Sequence, residues 1–171
     1  MLKIFAALFL MIISTPVFAN PVVENYIPNA QKVGEGRLTY LVWDVYDATL
    51  FAPNGTWNND KPFALKLSYL RDISGQDIAD TSAQKIRKQG FSDEIKLATW
   101  HAQMRDIFTD VKGGTEIIGV QTQNGDTKFY RDGQNIGAIN DSDFGDVFFK
   151  IWLGENTSIP SLRKKLLGQS G

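Results

Sequence analysis

Residues 37–51, RLTYLVWDVYDATLF, constrain the fold more than any other stretch of the chain. They are rich in aromatic and β-branched side chains and predict a long strand or a bent pair of strands. Strict alternation puts Leu38, Tyr40, Val42, Asp44 and Tyr46 on one face, and Arg37, Thr39, Leu41, Trp43 and Val45 on the other. Both faces are mainly apolar, so the segment is expected to be a central strand covered on both sides. A bulge near Asp44 would alter its register.

The elements around it follow from local signals. Asn20 to Val33 has no clear period and reads as an extended arm, with a turn at Gly34-Glu35-Gly36. Phe63 to Leu70 alternates as a strand, and Ile78 to Lys88 is a helix stopped by Gly90. Ser92 caps a second helix with the stripe Leu97, Trp100, Met104, Ile107 and Phe108. Three strands come next: Thr115 to Thr122, Thr127 to Arg131 and Asn135 to Ile139. They are joined by the hairpin signals Asn124-Gly125 and Asp132-Gly133. Ser142 caps a third helix through Trp152, and Pro160 opens a short last one. Strands, two helices, strands, two helices: this order predicts an α+β domain on one mostly antiparallel sheet.

The first nineteen residues have the build of a secretory signal. Lys3 supplies the charge, Ile4 to Ile13 the apolar run and Val17-Phe18-Ala19 a small-x-small cleavage site. The run is shorter than the ~20 residues a bilayer span needs, and Pro16 breaks it. The expectation is a signal peptide over 1–19 and a single domain over 20–171, exported to a bacterial periplasm with no stable membrane anchor after cleavage. A domain of that size can bury roughly two-thirds of its unfolded surface. It must do so without staples, because there is no cysteine. That also removes an acyl anchor, thiolate metal sites and cysteine nucleophiles. With 18 basic and 19 acidic residues the chain has no strongly basic face, which argues against nucleic acid as a partner.

Few motifs carry chemistry. His101 is the only histidine, so no zinc or copper set can be assembled, and no metal or other cofactor is expected. Asp141, Asp143 and Asp146 suggest calcium ligands, but their spacing fits helix N-terminal acids better. No Gly-x-Ser-x-Gly elbow exists. His101 is read either as a partly buried structural residue at the edge of its helix stripe or as a cleft residue that donates to a ligand. Arg37 is read either as an edge residue paired with Glu35 or as an anchor for a ligand carboxylate.

Taken together, several segments resemble the chalcone isomerase-like family, in its bacterial exported branch. They are Gly36-Arg37-Leu38, Val45-Tyr46-Asp47-Ala48 with Leu50-Phe51-Ala52-Pro53, and Phe63-Ala64-Leu65 with Tyr69-Leu70-Arg71-Asp72-Ile73. Trp100 with Ile107-Phe108, Phe148-Phe149 with Ile151-Trp152-Leu153-Gly154, and the tail from Thr157 to Arg163 complete the set. The likeness covers nearly all of the chain after residue 19. It implies an open-faced β-sandwich, a large antiparallel sheet with helices layered on it and a ligand cleft between. Some members of the family cyclise chalcones, and others bind fatty acids without catalysis.

The isomerase pattern carries over poorly. Arg37 matches the arginine that holds the phenolate. Leu41-Val42-Trp43 stands where a threonine is expected, and Thr39 fits only with a shift. The helix around Trp100 offers His101 and Gln103 in place of a tyrosine and an asparagine, and Ile151-Trp152-Leu153 replaces a second threonine. Isomerase chemistry needs preorganised hydrogen bonds to developing charge, so no catalytic residue is assigned. The resemblance implies a cleft for a small hydrophobic or fatty-acid-like ligand, with Arg37, Trp43, Tyr46, Trp100, His101, Met104 and Trp152 as candidate binding residues. Two rival readings are an isomerase or lyase using Arg37 and His101, and an envelope interaction protein whose cleft is filled by its own tryptophans.

Overall fold

The computed structural model describes residues 20–169, so the expected signal segment lies outside the described residues. Six strands form one antiparallel sheet in simple meander order. They are β1 (Ala30–Tyr40), β2 (Trp43–Pro53), β3 (Phe63–Tyr69), β4 (Glu116–Gln121), β5 (Thr127–Arg131) and β6 (Gln134–Ile139). A short helix, α1 (Pro21–Glu24), precedes them. Helices α2 (Gly75–Lys88) and α3 (Glu94–Ile107) lie between β3 and β4, and α4 (Ser142–Phe148), α5 (Lys150–Leu153) and α6 (Pro160–Leu166) follow β6. The architecture is the expected α+β open-faced sandwich.

The alternation of the central strands explains the layering. Tyr46, Ala48, Leu50 and Ala52 of β2, and Phe63, Leu65, Leu67 and Tyr69 of β3, point to one face and pack with the helices as the main core. The opposite face is covered only locally. There Val22, Val23 and Ile27 close over Phe51, Ala64, Ile118 and Val120. Beyond that patch the sheet faces solvent, as when Lys66 and Ser68 bond Glu116.

Residues 37–51 are a pair of strands, one of the two expected forms, and not one central strand covered on both sides. Tyr40 pairs with Trp43, so Leu41 and Val42 are the whole turn of a hairpin whose first strand is the sheet edge. The predicted irregularity is there: the register slips between Leu38 and Thr39, which pairs with Asp44. Apolarity at the turn reflects exposure and not burial, a distinction that alternation cannot make. Leu41 takes φ 55°, a left-handed conformation usually left to glycine or asparagine.

The N-terminal segment also departs from expectation. Residues 20–33 contain α1, capped by the Asn20 side chain, and the start of β1, not an extended arm. Gly34-Glu35-Gly36 is no turn but lies inside β1. Its glycines answer to a distant element. A Cβ on Gly34 would overlap the carbonyl oxygens of Lys165 and Leu166, and one on Gly36 would meet Leu162 Cδ1 at 2.8 Å. These two positions let α6 lie directly on the edge strand. Elsewhere the helix caps are acids next to the expected serines: Asp93 accepts from Lys96 N, and Asp141 accepts from Asp143 N. The third helix is broken at Phe149 into α4 and α5.

Gly34→Ala should therefore lower stability by about 1–3 kcal/mol through overpacking. Thermal unfolding would read this as a fall of several degrees in Tm. An unchanged Tm would show that α6 does not seat against β1 as described.

Candidate functional site

The helical layer does not close fully on the sheet. A solvent-connected cleft of about 1020 Å3 lies between them, at the upper end of what small-molecule sites enclose. Its floor is Tyr46, Leu65, Leu67 and Tyr69 with Ile117 and Phe129. Phe148, Phe149 and Trp152 form one wall and α2 the other. Gly119 gives the floor its depth at one point, because a Cβ there would sit 3.2 Å from the Phe149 ring.

Two phenols lie on this floor. Tyr46 and Tyr69 are direct cross-strand partners and meet edge to face with ring centroids 5.8 Å apart. The Trp152 indole N–H donates to the Tyr46 hydroxyl at 2.9 Å, joining the sheet to α5 and leaving the Tyr46 proton free to be donated. Burial pushes the Tyr46 pKa up to about 12, against a smaller downward pull from the Trp152 N–H. Burial raises Tyr69 as well, and the neighbouring Tyr46 adds to that. Both phenols therefore stay neutral donors at ordinary pH.

Charge is confined to the rim. α2 turns Ile78, Thr81, Lys85 and Lys88 toward the cleft at helical spacing. Lys85 is half-buried, donates to Ser158 Oγ at 2.8 Å, and forms no ion pair among the described residues. Its pKa is lowered, first by desolvation and then by Lys88 one turn away. Arg71, Lys88 and Lys112 also line the cleft without an ion pair among the described residues. Two of the carboxylates on the lining serve the backbone instead: Asp110 accepts from Gly75 N at 2.9 Å and Asp72 from Gly113 N at 3.3 Å. The result is an apolar interior with hydroxyl donors below and unpaired cations at the mouth. That suits one amphipathic anion.

Of the residues proposed from sequence, Tyr46 and Trp152 line this cleft and the other five do not. Arg37 is cross-strand partner to Asp47, on the face opposite Tyr46, where Asp47 and Asp44 bind its guanidinium at 2.7 and 3.0 Å. The hydrogen bonds it donates to Asp47 and then to Asp44 raise its pKa further. It is neither the Glu35 partner nor a cleft anchor; Glu35 pairs with Lys32 instead. Trp43 stands at the exposed hairpin end with Arg71 over its ring at 5.2 Å. Trp100 and Met104 are buried on the inner face of α3, against Phe91 and Phe144 in the case of Trp100. His101 pairs with Asp80 at 2.6 Å, tying α3 to α2 outside the cleft. Arg37 and His101 thus share no cavity. Asp141 and Asp143 hold Lys96 at 3.3 and 2.6 Å, and Asp141 also caps α4.

Lys85 and Tyr69 were missed. Lys85 continues the Ile78 stripe by seven residues, yet it reads as a solvated helix-end cation, the more usual meaning of a last-turn lysine. Tyr69 becomes a partner of Tyr46 only once the β2–β3 register is known.

A family model described as chalcone isomerase-like matches residues 33–168. Among solved structures, the chain is similar to a fatty-acid binding protein of Arabidopsis thaliana. The TM-score is 0.63 at 13% sequence identity, over 82% of this chain and 87% of that one. No curated protein matches.

Tyr46 provides a direct test of the buried floor. Its raised pKa stabilises the fold fully below the ordinary tyrosine value near 10, and that stabilisation is lost as pH rises to about 12. Tyr46→Phe should flatten the fall of unfolding free energy across that window, while costing about 1–3 kcal/mol at neutral pH by orphaning the Trp152 N–H. Denaturant titrations at several pH values would measure both, and an unaltered slope would mean that the hydroxyl is solvated.

Proposed function

The chain belongs to the chalcone isomerase-like family, and we propose that it is a non-catalytic binding protein for a fatty-acid-like anion. The alkyl chain lies in the cleft and the carboxylate meets Lys85. One observation carries this reading: an apolar cavity of about 1020 Å3 with a half-desolvated lysine at its mouth that has no counter-ion among the described residues. A lysine so placed costs free energy until an anion arrives, and its Coulomb attraction strengthens in the reduced dielectric. The fatty-acid binding protein of like fold supports the same class of ligand. Against catalysis stand Leu41-Val42-Trp43 and Ile151-Trp152-Leu153 where the isomerases carry threonines, and His101 and Gln103 where they carry a tyrosine and an asparagine. The pairing of Arg37 with two aspartates also removes the matching phenolate anchor.

Lys85→Ala should weaken binding of palmitate or oleate about tenfold or more, the worth of one charge-assisted hydrogen bond. Arg37→Ala should leave it unchanged. Binding should also decline as pH rises through the depressed Lys85 pKa, below the range of an ordinary lysine, because only the ammonium form attracts the carboxylate. Calorimetric or fluorescent-acid titration, with native mass spectrometry for stoichiometry, measures all three. Absence of binding to the wild-type protein would sink the reading.

The same reading puts the protein in a bacterial periplasm, in the exported branch of the family, on the strength of the leader-like residues 1–19. Fractionation of the expressed full chain should give a periplasmic product whose first residue is Asn20. A cytoplasmic product that retains Met1 would refute export.

A further inference from the structure

The large apolar side chains that stand in solvent are concentrated at one place. Tyr40, Leu41, Val42 and Trp43 are exposed by 68, 81, 83 and 58%, with Leu70 beside them; among the described residues only Ile95 is a comparable case elsewhere. Leu70 N donates to Val45 O at 2.9 Å, and Arg71 lies over Trp43, so the β2–β3 side of the sheet end joins the β1–β2 turn in one projecting tip. Nothing about hairpin geometry asks for these residues. Leu41 has φ 55° and Val42 does not share the positive sign, the pattern of a type II′ turn, which favours glycine first and a small polar residue second. Two bulky apolar residues therefore occupy a turn against both solvation and backbone preference, and such strain points to a function.

We propose that this tip is a wedge that docks the protein on a lipid bilayer, next to the mouth through which its ligand enters and leaves. Side chains change along the hairpin in the order a membrane interface requires. Leu41 and Val42 form the point, Tyr40 and Trp43 the aromatic pair behind it, and Arg37, Asp44 and Asp47 the polar base. The point projects past the aromatic pair by roughly one residue's rise, ~3 Å, which suits shallow interfacial insertion. No described helix is long and apolar enough to cross a membrane, and the docking proposed is peripheral.

Charge selects the surface. Asp44 and Asp47 share the one cation of Arg37 and leave a single negative charge at the base, whereas Arg71, Lys88 and Lys112 on the cleft rim have no ion pair among the described residues. An anionic headgroup layer complements that rim. A protein partner fits less well, because a convex point of four side chains cannot supply the roughly 800 Å2 per partner of a stable interface. Continuity with the site supports the same occupant: Tyr40, Leu38 and Arg71 belong to the tip or its base and also line the cleft. Docking stands by itself; ligand exchange at the tip rests on the binding function proposed above.

The test compares the wild-type protein with Leu41→Gly/Val42→Ser, a pair that relieves the turn and so keeps the fold. The probe is co-sedimentation with phosphatidylcholine vesicles with and without phosphatidylglycerol. Wild type should bind, more tightly with the anionic lipid, and the double variant should bind about tenfold or more weakly, given the apolar surface removed. Brominated acyl chains should quench Trp43 emission, and Trp43→Phe should abolish that quenching. In lipid-free buffer the double variant should still bind fatty acid, while transfer from vesicles slows. Vesicle binding that is absent, or equal in both proteins, overturns the proposal. So does concentration-dependent self-association that the double variant loses while vesicles stay unbound. Loss of fatty-acid binding in wild type with vesicle binding intact would instead sink the ligand reading and leave the docking tip standing.

Discussion

The cleft exists because α2 is carried by other helices and not by the sheet. It packs chiefly on α3, with contacts to α4 and α5. Its first turn is pinned at one point: Ile73 bridges to Val111, Gly75 N donates to Asp110, and a Cβ on Gly75 would overlap the Phe108 carbonyl. Glycine allows that close approach, and the approach fixes where the helix begins. From there α2 runs over the helix-covered face of the sheet and leaves space beneath it. Close packing is the default of a protein interior, so a cavity of this size persists only where rigid elements hold it open. Here they are the pinned start of α2, the Tyr46–Trp152 bond and the stacked rings of Phe144 and Phe148.

Separation of polarity follows from that geometry. The floor side chains are buried, and an ionised group there would carry a desolvation cost without a partner. It holds two neutral phenols instead, both with raised pKa. The cations sit higher, on the solvent-facing turns of α2 and on the strand ends, where they stay hydrated until an anion displaces the water. Lys85 is the intermediate case, half-buried and already depressed in pKa. On the proposed reading, this field would orient a ligand without any specific shape match, with its tail on the floor and its head at the rim.

The parts of the fold legible in the sequence are those set by local chemistry. Asn124-Gly125 and Asp132-Gly133 placed the β4–β5 and β5–β6 hairpins, and their glycines do take positive φ. Pro160 opens α6, as local signals indicated, whereas α2 begins at Gly75 behind its Ser74 cap and not at the expected Ile78. The errors arise where a residue answers to something distant in sequence. Gly34 and Gly36 look like turn residues until α6 is seen lying on them. Leu41 and Val42 look like core until the hairpin turns at them. In the site, Tyr46 and Trp152 could be found because strand alternation and an apolar helix stripe point them at the same layer. Arg37 was misplaced by a single step of that alternation, which puts every second side chain on the other face. Lys85 carries no local mark to distinguish a rim cation from a solvated one; only the cavity beside it does.

Orientation of the ligand bears on how it can be loaded. A free acid in a bilayer has its head at the interface and its tail among the acyl chains. A cleft that holds the tail inside and the head outside must receive the tail first, so the tail has to cross from lipid to protein. Through water, that step exposes the whole chain at about 0.8 kcal/mol per methylene. An apolar path in contact with both phases removes most of that barrier. Leu38, Tyr40 and Val45 make such a path, since they line the cleft and lead to the tip. On the proposed reading, the strained turn and the open cleft are two ends of one route. On that same reading, the instability accepted at Leu41 would lower the barrier to exchange and add nothing to equilibrium affinity.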